Sequence, residues 1–161
     1  MRYAHSRKIS LCVVCCALYA VLVTVFAPIS FQQIQVRVAN SLIGLVPILG
    51  WPAICGLALG VFLGNLTSPL GLIDLLSVLP SLLGLLIVYR LRGVSVLLGL
   101  QAYSTIVSAW VAYMLMLVFN LPYVVTFIYV LLGVSVATTG LGYLLYKSLS
   151  RLGVAHLLRI G

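Results

Sequence analysis

From Val96 to Phe119 the chain reads VLLGLQAYSTIVSAWVAYMLMLVF, without a single charge. A helix built from this run is apolar on nearly every side, so it has no face to offer water. About 20 such residues carry a helix across the ~30 Å hydrocarbon layer of a bilayer. Comparable runs recur from Ile9 to Leu149, and a composition of 64% hydrophobic and 6% charged residues leaves too little polar surface to clothe a soluble globule. A transmembrane barrel needs strands of alternating polarity, which runs such as LCVVCCALYAVLVTVF do not supply. The expected fold class is therefore an all-α integral membrane protein, a bundle of about six transmembrane helices.

The expected helices lie at approximately 9–28, 38–50, 53–66, 72–89, 94–119 and 123–146, in one transmembrane domain spanning 1–161 with no room for a soluble one. The first follows Arg2, Arg7 and Lys8 like a signal peptide, but its apolar run is longer than a typical signal core and further membrane segments follow. Pro28 closes it. The second and third are each only ~20 Å long and separated by a turn expected at Trp51-Pro52. Two alternatives stay open for them: a thin pair of crossing helices, or one re-entrant hairpin. NLTSPLG, Asn65 to Gly71, reads as a loop.

Charge sets the orientation. With a cytoplasmic start, Arg2, Arg7, Lys8, Arg90, Arg92, Lys147, Arg151 and Arg159 all fall inside, as the positive-inside rule asks, under either alternative. Both termini are thus expected in the cytoplasm of a multi-pass cell-membrane protein. The net charge of +8 belongs to these helix flanks, so no nucleic-acid partner is expected; the partner is the lipid bilayer.

The exceptions to this pattern carry the functional signal. FQQIQVRVAN, Phe31 to Asn40, concentrates Gln32, Gln33, Gln35, Arg37 and Asn40 in an otherwise apolar chain, and Asp74 is the single acidic residue. Charges near membrane depth line a cavity or find partners, and Arg37 and Asp74 are both expected at the outer level, near enough to pair. Asp74 also suits a capping role for the helix from Leu75 onward. Amides that both donate and accept suit a planar heterocycle with polar edges. Asn65, Asn120 and Tyr123 fall at the same level on other segments, which points to an outward pocket roofed by the loop after the first helix. Trp110 and Tyr113 are placed either to stack on a flat ligand or to anchor at the interface. Gln101 has no evident role.

Cys12, Cys15, Cys16 and Cys55 lack histidine or carboxylate companions, so they read as buried small apolar residues, with no metal site and no cofactor. One aspartate and one arginine make a thin cast for acid–base chemistry, and no nucleophile motif or phosphate-binding glycine loop is present. The chain reads as a non-enzyme that must borrow energy for any active transport.

ISFQQIQVRVANSL, Ile29 to Leu42, resembles the signature of the QueT family, where a pattern like I-Q-F-R-x-S-E-A-L follows the first helix. ICGLALGVFLGNLTSPLGLIDLL, Ile54 to Leu76, is similar to the family's P-G-L-x-L-G-x-x-x-A-N-L-x-S-x-x-G-x-x-D. The resemblance implies the S component, or substrate-binding subunit, of an energy-coupling factor (ECF) importer for a queuosine precursor, a 7-deazaguanine base. It further implies a transmembrane coupling subunit and two ATPase subunits as partners. Gln35, Arg37, Asn65 and Asp74 match family positions; with Asn40 and Asn120 they form the expected substrate-binding set. Asn40 departs from the family's glutamate, which allows a related small heterocycle instead. Cys16, Ala20 and Thr24 stand at the four-residue spacing of small residues with which such subunits meet the coupling subunit. The competing expectation is a non-transporting structural or assembly subunit.

Overall fold

The computed structural model describes residues 2–26, 37–66, 68 and 70–153, with side chains described from residue 6 onward. Pro28, the glutamines Gln32, Gln33 and Gln35, His156 and Arg159 lie outside the described residues. Among the described residues the regular structure is all helical: α1 (Arg2–Val25), α2 (Val38–Leu49), α3 (Trp51–Asn65), α4 (Gly71–Leu91), α5 (Val96–Phe119) and α6 (Tyr123–Arg151). The chain is an all-α membrane bundle. Ser6–Val25, α4, α5 and α6 are long and apolar enough to cross a bilayer, and α2 and α3 are shorter apolar helices.

The boundaries differ from expectation where helix-end chemistry is decisive. The chain turns at Gly50, whose φ of 64° is open to glycine but strained for other residues. Trp51 and Pro52 instead open α3, because proline in a first helical turn lacks only an N–H that would have no partner there. The other helices run on through their polar flanks, α1 back to Arg2 and α6 forward to Arg151.

Three helices depart from plain α geometry. The first part of α2, Val38–Leu45, and of α4, Gly71–Ser77, is wound as 3₁₀ helix, and α6 carries a π turn over Val136–Leu141. At a 3₁₀ rise of about 2.0 Å per residue, α2 reaches about 22 Å, the same length as α3. Both ends of α2 meet α4: Arg37 bonds Asp74 at the start of α4, and Gly50 packs beside Tyr89 and Arg92 at its finish. Between these two end contacts the body of α2 packs on α6 and α1.

Close packing rests on small residues. Gly56, Gly60 and Gly64 recur every fourth position of α3 and face α1. A Cβ at Gly60 would sit 2.7 Å from the Cβ of Tyr19, and one at Gly56 would strike the backbone carbonyl of Cys12. The backbones touch through this stripe, a small-xxx-small contact. It buries Cys15 and Tyr19 completely; Cys16 and Ala20 are half-buried at its margin, and Thr24 is exposed. Cys55 is exposed as well, contrary to its expected burial, because its glycine neighbours take the inward positions. Gly44 of α2 similarly presses on the carbonyl of Gly142, where the π turn of α6 ends.

Candidate functional site

At one end of the bundle the start of α2, the finish of α3 and the start of α4 converge. Arg37 has extended backbone (φ −76°, ψ 90°) and precedes α2; its carbonyl accepts the N–H of Asn40 at 2.8 Å. That bond brings Asn40 back over Arg37 at the opening of α2, and residues three apart within a 3₁₀ helix eclipse. Asp74 and Ser77, both within the 3₁₀ opening of α4, therefore share one side of it.

A closed ring of hydrogen bonds joins these ends. The Arg37 guanidinium donates through Nη1 to Asn65 Oδ1 and through Nη2 to Asp74 Oδ2, both at 3.3 Å. Asn65 Nδ2 donates to the backbone carbonyl of Asp74 at 2.9 Å. Ser77 donates its hydroxyl to Asp74 Oδ1 at 2.7 Å, and Trp110 Nε1 donates to Ser77 Oγ at 3.1 Å. Ser77 Oγ also approaches Met114 Sδ at 3.7 Å, but its one proton goes to the carboxylate, the stronger acceptor. Tyr19 donates to Asn40 Oδ1 at 2.7 Å. Arg37 is 3% and Asp74 0% exposed, so this is a fully buried ion pair.

Four of the expected site residues, Arg37, Asn40, Asn65 and Asp74, are therefore brought together. Gln35 lies outside the described residues. Asn120 stands apart from the ring: it is exposed and ends α5 in the left-handed conformation, φ 53°, which asparagine tolerates better than most residues. Tyr123 is exposed and places its hydroxyl 3.5 Å from the Ala109 carbonyl. Asp74 sits in the first turn of α4, but its carboxylate accepts from side chains of other positions and makes no cap bond. Trp110 is held through its ring nitrogen, and Tyr113 is exposed with its ring 6.1 Å from that of Trp110.

Tyr19, Ser77 and Met114 are the members the sequence reading missed. For Tyr19 a signal was available: Cys12, Cys15, Tyr19 and Val23 form the stripe that meets the glycines of α3. Gln101 finds a role too. Its Nε2 donates to Ser135 at 3.3 Å and its Oε1 accepts from Thr139 at 3.0 Å, tying α5 to the π turn of α6.

The ring offers hydrogen bonds and a neutralised ion pair, an outfit for holding a molecule. The sequence profile of the QueT transporter family matches residues 9–151, a stretch that contains every site residue named above. The chain belongs to the QueT transporter family. Comparison with curated proteins and with solved structures gave no match. Membership of the QueT family makes it a multi-pass membrane transport protein with a small-molecule substrate, and a transporter rather than an enzyme.

Proposed function

We propose that the chain is the S component of an ECF-type importer, binding a queuosine precursor, a 7-deazaguanine base, or a related small heterocycle. One observation carries this reading: polar side chains from five helices, α1 to α5, converge at one end of an otherwise apolar bundle. Bundles in lipid bury such groups at a penalty that function repays. In this reading Arg37, Asn40, Asn65 and Asp74 hold the substrate, and Gln35 and Asn120 are further candidates to be tested by substitution.

Arg7, Lys8, Arg90, Arg92, Lys147 and Arg151 flank the opposite helix ends, which supports cytoplasmic termini and an outward-facing site. In this reading a transmembrane coupling subunit and two ATPase subunits supply the energy for transport. Calorimetric titration of detergent-purified protein with 7-deazaguanine bases is expected to show saturable binding that Arg37→Ala abolishes. A panel of deazapurines and vitamins without any heat of binding overturns the substrate assignment. Affinity purification from native membranes tests the partners: an unrelated complex in place of a coupling subunit and ATPases favours the assembly-subunit alternative.

A further inference from the structure

Which atoms of the ring remain open to a ligand can be read from the hydrogen bonds. Asp74 has Oδ1 on Ser77 and Oδ2 on Arg37, while Asn65 is engaged at both ends of its amide. Ser77 donates once and accepts once. Asn40 differs. Its Oδ1 accepts from Tyr19, but its Nδ2, in a residue 1% exposed, has no partner among the described residues.

The Tyr19 hydroxyl donates its one proton to Oδ1, so that end of the amide is engaged and the two N–H bonds of Nδ2 point elsewhere. Buried donors in native proteins are nearly always paired, and one kept unpaired beside a functional cluster marks a place where a ligand completes the bonding. The hydroxyls of Ser108 and Thr138 are likewise orphaned, but neither belongs to the ring around Arg37.

Charge narrows the ligand further. Arg37 and Asp74 neutralise each other at 3.3 Å, so the ring carries no net charge with which to attract a carboxylate or phosphate into a low-dielectric interior. We infer that Asn40 is the specificity-determining residue of the site and takes a neutral heterocycle through a hydrogen-bond acceptor, a carbonyl oxygen or pyridine-type ring nitrogen, set against its Nδ2. This rests on the substrate-binding reading above and adds to it which edge of the molecule is read.

The test uses purified full-length protein and 7-deazaguanine with a series of analogues, each with one ring nitrogen or carbonyl acceptor replaced by C–H. For the wild type, one replacement is expected to weaken binding by about 10- to 100-fold. The same replacement should change the affinity of Asn40→Ala hardly at all, since the lost bond is already missing. Asn40→Asp, which keeps the shape and the acceptor for Tyr19 but has no N–H, should lose the parent ligand and serves where Asn40→Ala fails to fold. Equal binding of every analogue by the wild type, or an undiminished loss in Asn40→Ala, overturns the inference and leaves the substrate reading intact. Folded wild type that binds no member of the series overturns both.

Discussion

Asp74 has no exposed surface, and Arg37 hardly any, so each relies on the other to be tolerable inside the bundle. Removing one partner leaves a bare charge in low dielectric, which typically costs 3–5 kcal/mol, whereas exchanging both for apolar residues of similar volume is often neutral. Arg37→Met alone is therefore expected to lower unfolding stability by about 3–5 kcal/mol, and Arg37→Met with Asp74→Leu to recover most of it, as measured by denaturant titration in detergent micelles. Ser77→Ala withdraws a hydrogen bond to the carboxylate and should cost about 1.5–3 kcal/mol in the same assay. Arg37, Asn65 and Asp74 were legible in the sequence because charges and amides are improbable in apolar runs. Ser77 was not, because hydroxyls are common in membrane helices and nothing in the pattern announces which way it faces.

At the scale of the helix, the 3₁₀ openings decide which residues meet. Asp74 and Ser77 share a side because they are three apart in a tightened turn; in a plain α-helix they would diverge by about 60°. Periodicity arguments assume 3.6 residues per turn, so this alignment was beyond the reach of the sequence. The Gly50 turn was misjudged by one or two residues for a related reason: Trp51-Pro52 marks a helix start as readily as a loop. The glycines of α2 and α6 allow a direct test of packing. Gly44→Ala places a methyl group against the Gly142 carbonyl and is expected to destabilise by about 1–3 kcal/mol through overpacking. Gly140→Ala, with nothing within 4 Å of the added Cβ, is the control and should be close to neutral in the same melting measurement.

For the whole molecule, apolar runs and the placement of cations were enough to read helix number and the separation of a basic end from a polar one. The contacts between helices were not, since lipid-facing and core-facing leucines look alike in a chain without polar faces. Orientation is testable with single cysteines in a background lacking Cys12, Cys15, Cys16 and Cys55. Asn120→Cys is expected to react with an impermeant maleimide added outside intact cells, and Gly93→Cys only after the membrane is opened. The brevity of α3 carries its own message for the surrounding lipid. Its outward leucines, Leu59, Leu63 and Leu66, line a helix of about 22 Å, some 8 Å less than an ordinary hydrocarbon layer, so acyl chains beside it must shorten or tilt to match. A thinned membrane is therefore expected on that flank, and the protein's melting temperature should climb as it is reconstituted into bilayers of progressively shorter chains.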